Sequence, residues 1–325
     1  MLKKILLSIF AFITLLVIIW ILGPRAQYQT IDNAPIALDW PLDQLDSIIA
    51  SKEFGIPDLK EDNEARIIWA DSSHVQTEYS VVYLHGFSAS QGEGDPIHKN
   101  IGTSIGANVY LARLRDHGVK NKDVFKELTP QDLIDDTKEA VAIGKLIGQK
   151  VILMSCSTGG TVSIAVTPED DAIHSLVLMS PNIRIKDPNV QLMTGPWGAQ
   201  IIKAMVGDYR IVDAADEKQY WTGNYHVDGL LALQALIDQS MTDETFEKIN
   251  IPVFMAYYYK NEEEQDQVVS VDAMKEFLRS INTPEPYVKE IPFANAGSHV
   301  ISAASRNENW KDIQDSIEVF LKPLL

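Results

Sequence analysis

The chain has 325 residues, of which 46% are hydrophobic, so it can bury a large core as one sizeable domain or two ordinary ones. Its 45 acidic residues outnumber its 28 lysines and arginines, and the formal net charge is -17. Nucleic acid and anionic lipid are bound through clustered basic side chains, so this charge argues against both as partners of a basic face. The single cysteine, Cys156, excludes an internal disulfide and a cysteine-rich metal site. A neutral small-molecule partner fits this composition best.

Residues 1–25 form a separate segment. Lys3 and Lys4 precede a run of eighteen mostly apolar residues that ends at Leu22, which is almost long enough to cross a bilayer. A cleaved signal peptide has a shorter apolar region and a small-residue cleavage site, whereas Gly23-Pro24-Arg25 follows directly here. The pattern favours an uncleaved signal anchor. The positive charge before the run predicts a cytoplasmic N-terminus and places the rest of the chain on the extracytoplasmic side, periplasmic or extracellular.

Residues 26–64 are predicted to be an extension that packs loosely on the following domain, with one amphipathic stretch over 42–50. Apolar runs and helical patterns then alternate. Strands are predicted near 66–70, 80–84, 108–112, 151–154, 175–179, 251–258 and 287–291, and helices near 129–147, 160–166, 271–280 and 309–321. This alternation indicates an α/β fold with a mostly parallel sheet and helices on both of its faces.

The apolar run over 151–154 ends abruptly in Ser155-Cys-Ser157-Thr-Gly159. In a nucleophile elbow, a buried strand turns sharply into a helix, and a serine at the apex has a strained backbone and an exposed hydroxyl. The residues two before and two after that serine must be small. Gly159 meets this requirement, and Ser155 replaces the usual glycine. The pattern indicates Ser157 as a nucleophile, with an ordinary strand-to-helix turn as the alternative.

A serine hydroxyl needs a base to remove its proton and a third group to orient that base. His299 is the best base, because it lies in a glycine-containing loop between the last predicted strand and the last helix. Asp266 is the best orienting acid, because Val268 and Val269 beside it can anchor the loop. Four acidic residues compete with Asp266 for this role: Glu262, Glu263, Glu264 and Asp272. The chain order of serine, aspartate and histidine is that of the α/β-hydrolases.

The oxyanion formed by attack on an acyl carbon needs preorganised donors. The backbone N–H of Thr158 would supply one, because Thr158 follows the nucleophile. The N–H of Phe87 would supply the second, because His85-Gly86-Phe87 follows an early buried strand. We expect His85 to support this loop by hydrogen bonding rather than to act as the base.

From about residue 66 to the C-terminus, the chain resembles the α/β-hydrolase superfamily. Within it, the chain is similar to the bacterial carboxylesterases and monoacylglycerol lipases that share the serine aminopeptidase profile. The matching pieces are Leu84-His-Gly-Phe87, Arg115-Asp-His-Gly118, the elbow at Ser157, Asp266-x-Val-Val and His299. The resemblance implies one hydrolase domain over 65–325 with a helical cap inserted at about 182–242. Four aromatic residues of the cap line an acyl pocket or form its core: Trp197, Tyr209, Trp221 and Tyr225.

The expected activity is hydrolysis of a carboxylic ester, either short-chain or monoacylglycerol-like, through an acyl-enzyme on Ser157. A serine peptidase is the alternative, and the cap offers acidic residues for a substrate amino group: Asp208, Asp213, Asp216, Glu217 and Asp228. A catalytically silent, membrane-anchored binding protein is an alternative of another class. We expect no cofactor and no metal, because the chain has no H-x-x-x-H motif and no P-loop, and the segment 102–106 lacks the third glycine of a dinucleotide-binding motif. Oligomeric state and acyl length stay open.

Overall fold

A mixed, mostly parallel sheet forms the centre of the protein, for which a computed structural model describes residues 2–211 and 219–325. Its strands are β1 (Arg66–Ile68), β2 (Thr77–Leu84), β3 (Asn108–Leu111), β4 (Gly148–Cys156), β5 (Ile173–Met179), β8 (Val253–Tyr258) and β9 (Val288–Phe293). They lie in the order β1-β3-β2-β4-β5-β8-β9. Strand β1 pairs antiparallel with β3, and every other neighbouring pair is parallel. The predicted mostly parallel sheet is thereby confirmed.

Helices cover both faces of this sheet. The helices are α1 (Leu2–Ile21), α2 (Leu45–Phe54), α3 (Ile97–Ile105), α4 (Pro130–Ile147), α5 (Thr158–Val166), α6 (Gly198–Val206), α7 (Asp228–Ser240), α8 (Asp243–Glu247), α9 (Val271–Ser280) and α10 (Trp310–Leu321). Along β4, Val151 and Leu153 belong to the core beneath α4, α5, α7 and α9. Ile152 and Met154 point the other way, into the core beneath α3 and α10. This period of two is what a strand buried on both faces requires.

Helix α4 begins where its sequence predicts. The hydroxyl of Thr129 accepts from the backbone N–H of Asp132 at 3.2 Å, and the Asp132 carboxylate accepts from the N–H of Thr129 at 2.9 Å. Pro130 takes the first helical position, where its missing N–H costs nothing. By contrast, α3 was not predicted, although Ile97 and Ile101 are fully buried four residues apart, at helical spacing.

The extension over 26–64 packs tightly on the domain rather than loosely. Leu45 and Ile49 of α2 are part of the main core cluster, with 0% and 4% of their surface exposed. Glu53 at the end of α2 pairs with the Arg113 guanidinium at 2.6 Å. The amide of Asn33 also donates to the carbonyl of Ala165 at 2.8 Å. A short amphipathic segment predicts a helix but does not show which surface the helix will cover. For this reason, the predicted packing of residues 26–64 was looser than the observed packing.

The segment between β5 and β8 contains α6, α7 and the two-stranded ribbon of β6 (Tyr209–Ile211) and β7 (Asn224–His226). Helix α7 packs against α4 and α5, and its Ala232 and Leu236 belong to the main core. Helix α6 is far more exposed and lies beside α1. Helix α7 is therefore part of the domain core, whereas α6 lies on the outside of the domain.

Candidate active site

The predicted site residues follow neighbouring parallel strands at one edge of the sheet. Strand β2 lies between β3 and β4, so the chain crosses over β2 when it passes from one to the other. The connections after β2 and β4 therefore leave in opposite directions, and open α/β sheets bind ligands at such a point, outside the carboxyl ends of the strands. Phe87 follows β2, Ser157 follows β4, Asp266 follows β8 and His299 follows β9. The sheet order brings these four segments to the same edge.

Ser157 has the backbone geometry of an elbow. Its φ of 52° and ψ of -117° lie in a region that costs a residue with a side chain about 1–3 kcal/mol. The backbone on either side is fixed, because the N–H of Ser157 donates to Met179 O at 3.1 Å and its carbonyl accepts from Asn182 N at 3.0 Å. A Cβ at Gly159 would lie 1.9 Å from the Leu84 carbonyl oxygen, so only glycine fits there. The turn is held tightly against β2 and β5.

Asp266 and His299 form a hydrogen-bonded pair. The Nδ1 atom of His299 lies 2.7 Å from Oδ2 of Asp266. The other carboxylate oxygen accepts from the backbone N–H groups of Val268 at 2.8 Å and Val269 at 3.1 Å. Burial acts to raise the pKa of Asp266, but His299 and these two N–H donors outweigh it and hold the pKa below its usual value. An ionised Asp266 orients the imidazole and leaves its Nε2 free for other chemistry.

The backbone N–H groups predicted to bind an oxyanion lie at the same edge. Thr158 is the first residue of α5, where a helix leaves its N–H groups without intrahelical partners. Phe87 lies in the 85–88 loop that follows β2. Within the part of the chain that the structure describes, neither N–H has a protein acceptor. Both donors are therefore available to a ligand.

His85 supports the 85–88 loop, as the sequence predicts. Its Nε2 accepts from the N–H of Leu114 at 3.1 Å, so its Nδ1 carries the proton that it donates to the carbonyl of Gly86 at 2.9 Å. Burial lowers the pKa of His85 to about 4, so this imidazole is neutral at pH 7. A neutral histidine with both nitrogens engaged in the fold is a structural residue.

Aromatic rings surround the side chain of Phe87. Its ring centroid lies 5.5 Å from that of His117, 4.7 Å from that of Phe125 and 5.6 Å from that of Tyr225. Sequence reasoning did not single out His117 or Phe125, although His117 lies within the Arg115-Asp-His-Gly118 match. The cluster packs the 85–88 loop from below and limits its movement.

The four aromatic residues predicted for an acyl pocket lie in three different places. Tyr225 packs on Phe87, and Trp221 pairs with the backbone of Ala89 just beyond the 85–88 loop. Trp197 contacts α1 instead, and the hydroxyl of Tyr209 donates to Asp123 at 2.6 Å. Tyr225 and Trp221 are thus the two that border the candidate site.

Two of the five acidic residues that a peptidase could use, Asp208 and Asp228, lie in the part of the chain that the structure describes. Asp228 pairs with Lys203 at 2.7 Å and lies 3.3 Å from Nδ1 of His226. Asp208 is exposed at the start of the ribbon. The remaining three, Asp213, Asp216 and Glu217, lie outside the described residues. Over residues 2–211 and 219–325, there is no group of three or more His, Cys, Asp or Glu side chains that could hold a metal ion.

Comparisons with known proteins bear on the fold. No family model matches the chain. No curated protein matches it in sequence. The structure reported for the metagenome-derived lipolytic enzymes LipS and LipT is similar, with a TM-score of 0.64 at 14% identity over 82% of this chain and 99% of that one.

Two further solved structures resemble this one. The Paleococcus ferrophilus monoacylglycerol lipase has a TM-score of 0.59 at 14% identity, over 80% of this chain and 98% of that one. Est1E of Butyrivibrio proteoclasticus, with ferulic acid bound, has a TM-score of 0.52 at 16% identity, over 80% and 94%. The chain therefore has the α/β-hydrolase fold, which its sheet order and elbow already indicate. A fold hosts many activities, so the activity must be argued from the site.

Proposed function

We propose that this chain is a serine hydrolase that cleaves carboxylic esters. The observation that carries the proposal is that a serine in elbow geometry and the hydrogen-bonded pair of a buried Asp266 with a partly buried His299 lie at the same edge of the sheet. Both halves of the site lie near the Glu93 carboxylate. Gly86 separates this carboxylate from Ser157, and the electrostatic interaction with His299 acts to lower its pKa. Lipases and esterases among the solved structures of this fold add support.

The proposed reaction has two halves. His299 Nε2 takes the proton of Ser157 as its Oγ attacks the ester carbon, and the resulting oxyanion accepts from the N–H groups of Phe87 and Thr158. The intermediate then collapses, and the alcohol leaves with the proton that His299 returns to it. In the second half, a water molecule gives a proton to His299 as its oxygen attacks the acyl carbon. The bond to Ser157 Oγ then breaks, His299 returns the proton to that oxygen, and the acid is released. Asp266 stays ionised throughout and stabilises the imidazolium.

Residues 1–25 are proposed to anchor this enzyme to a membrane. Among the described residues, one helix is long and apolar enough to span a bilayer: Lys3–Ile21, with a mean hydropathy of 2.6 and none of it buried in the protein. Residues 26–64 then form an extension packed on the catalytic domain over 65–325, with its cap at about 182–242. The two lysines at the start of this helix, Lys3 and Lys4, support an extracytoplasmic catalytic domain. A monoacylglycerol-like ester fits an enzyme at that position.

Kinetics of the full chain in detergent test the proposed activity. The substrates are p-nitrophenyl esters from acetate to palmitate, and the variant is Ser157→Ala. We expect the variant to lose at least about a thousandfold in kcat, because no other group forms the acyl-enzyme. Ser180→Ala is the matched control, since Ser180 is also a buried serine with positive φ, directly after the neighbouring strand β5.

The same assay, run also with aminoacyl p-nitroanilides as substrates, separates the three candidate functions. Ester hydrolysis that depends on Ser157 and not on Ser180 supports the esterase, and the preferred chain length distinguishes a short-chain esterase from a lipase. Hydrolysis of aminoacyl p-nitroanilides alone would favour the peptidase. No turnover of either substrate class would favour the silent binding protein, although the intact Asp266–His299 pair argues against that function.

A further inference from the structure

A buried carboxyl group that the proposed reaction does not use lies beside the 85–88 loop. Glu93 belongs to the short 3-10 turn Gln91–Gly94, and only 2% of its surface is exposed. Burial raises the pKa of Glu93 to about 7, although the Gly86 N–H and the electrostatic interaction with His299 act in the opposite direction. Burying a carboxyl is costly unless it makes compensating hydrogen bonds. The position of Glu93 therefore calls for a structural or functional reason.

The Glu93 carboxylate connects several parts of the candidate site. Its Oε2 accepts from the backbone N–H of Gly86 at 2.6 Å and from the Tyr83 hydroxyl at 3.4 Å. The Cys156 thiol, directly before the nucleophile, also acts to lower the pKa of this carboxyl group. The backbone of the turn is fixed too, because the Ser302 hydroxyl donates to the Glu93 carbonyl at 2.9 Å. These hydrogen-bond donors come from β2, the 85–88 loop and the segment after His299.

Gly86 is held on both sides by this arrangement. A Cβ at Gly86 would lie 2.7 Å from Oε1 of Glu93 and 3.1 Å from Cβ of Ser157, so the glycine backbone fills a narrow gap between them. The Gly86 N–H, in the preceding peptide plane, is fixed by Glu93. The Gly86 carbonyl, in the following plane, accepts from His85 Nδ1 at 2.9 Å and from Ala89 N at 3.2 Å.

The second of these peptide planes contains the N–H of Phe87. In a trans peptide the carbonyl and the N–H point in opposite directions, so fixing the Gly86 carbonyl fixes the direction of the Phe87 N–H. Glycine has an unusually wide choice of φ and ψ, and both peptide planes around Gly86 must be held to restrict it. His85 and Ala89 hold one plane, and Glu93 holds the other.

We propose that Glu93 is a positioning residue of the oxyanion hole, and that its carboxylate fixes Gly86 so that the Phe87 N–H points at the developing oxyanion. This inference rests on the proposed serine hydrolase function. Glu93 touches no reacting atom. Its contribution is to hold one donor within the narrow distance and angle that oxyanion stabilisation requires.

Two substitutions of similar size separate the hydrogen-bond acceptor from the volume of the side chain. Glu93→Gln keeps an oxygen that can accept from Gly86 N–H, whereas Glu93→Met fills the same space without an acceptor. In the full chain, with p-nitrophenyl butyrate as substrate, we expect Glu93→Met to lower kcat about 10- to 100-fold and to leave KM within about twofold, because the donor acts on the transition state. We expect Glu93→Gln to recover kcat to within about fivefold of the parent.

Asp136→Asn provides the matched control. Asp136 is a partly exposed carboxyl group whose pKa is also raised by desolvation to about 7, and it also accepts from a backbone N–H, that of Arg115. It is expected to change thermal stability and to leave kcat within about twofold. If Glu93→Met does not fold, Glu93→Ala is measured instead, with the same expected change in kcat.

The inference is overturned if Glu93→Met keeps the parent kcat, if its loss is in KM alone, or if Glu93→Gln loses as much kcat as Glu93→Met. Ser157→Ala, measured in parallel, distinguishes this failure from that of the proposed function. If Ser157→Ala is inactive and Glu93→Met is fully active, only the role of Glu93 is wrong. If Ser157→Ala keeps the parent activity, the proposed function is wrong and the role of Glu93 is overturned with it.

Discussion

At the scale of single residues, the carboxylate of Asp266 determines how His299 can work. Two backbone N–H groups and one imidazole nitrogen converge on this buried side chain. They hold its pKa below the usual value despite burial, so the group that faces His299 carries a full negative charge. That charge fixes the imidazole with its proton on Nδ1 and stabilises the imidazolium that forms during the proposed reaction.

Asp266→Asn should lower kcat about 10³- to 10⁴-fold, because an amide favours the wrong histidine tautomer and no longer stabilises the imidazolium. Steady-state kinetics on p-nitrophenyl esters measure this change. Asp272→Asn is the matched control: Asp272 is an exposed residue in the first turn of α9 and competed with Asp266 on sequence grounds. The assignment is wrong if Asp272→Asn loses activity and Asp266→Asn retains it.

Sequence reasoning could place Ser157, Asp266 and His299 because each follows an apolar strand and precedes a helix. Glu93 gave no such signal. It lies between two glycines in a polar segment, a context typical of an exposed loop. Its burial depends on Tyr83, Gly86 and Ser302, which come from separate parts of the chain. A residue whose environment is built by tertiary contacts alone cannot be identified from local pattern.

At the scale of elements, helix α6 and its flanks form an exposed apolar patch beside α1. Among the described residues outside α1, five of the large exposed hydrophobic side chains fall within twenty consecutive residues: Leu192, Ile201, Met205, Val206 and Ile211. The one charged residue over 188–206 is Lys203, which pairs with Asp228 of α7. Trp197 connects the patch to α1, because its indole N–H donates to Ile19 O at 3.0 Å. If α1 spans a membrane, this patch meets the same membrane surface.

Site-directed labelling tests that consequence of the proposed anchor. In the full chain reconstituted into phosphatidylcholine vesicles, a fluorophore at Met205→Cys should be quenched by lipids that carry a nitroxide near the headgroup. A label at Val319→Cys, an equally exposed apolar position on α10, should not be quenched. The native Cys156 is fully buried, and burial raises its pKa, so it will label poorly.

Ile13→Cys, labelled within α1 and probed with a nitroxide deep in the acyl chain, provides the positive control. Quenching at positions 13 and 205 but not at 319 is the expected result. Quenching at 13 alone would place the cap away from the membrane, and no quenching at 13 would refute the anchor itself.

Elements with strong local signals were predicted most accurately. Helix α4 has a capping box, a proline at its first position and a long apolar stripe, and its observed bounds match the predicted ones closely. Helix α3 was missed because Gly102 and the short length weaken its pattern. The glycine is needed there, since a Cβ would lie 2.1 Å from the Val109 side chain. Close packing against β3 therefore requires glycine at this position, although glycine has a low helical propensity.

At the scale of the whole molecule, sheet order assembles the site. Alternating strands and helices were enough to predict a mostly parallel sheet, but they do not determine which strands become neighbours. The order β3-β2-β4 makes the connections after β2 and β4 leave in opposite directions, and placing β8 and β9 beyond β5 brings Asp266 and His299 to the edge that carries Ser157. The sequence predicted no strand order, so this arrangement is known from the structure alone.

The central claim is that Ser157 is the nucleophile, and covalent capture tests it most directly. The full chain in detergent is treated with a short-chain alkyl fluorophosphonate, which traps a serine that a neighbouring base activates. Intact mass and peptide mapping then locate the adduct. We predict one phosphonyl group per chain on Ser157, and none on the Ser157→Ala variant. An unmodified chain, or an adduct on any other residue, would contradict the account.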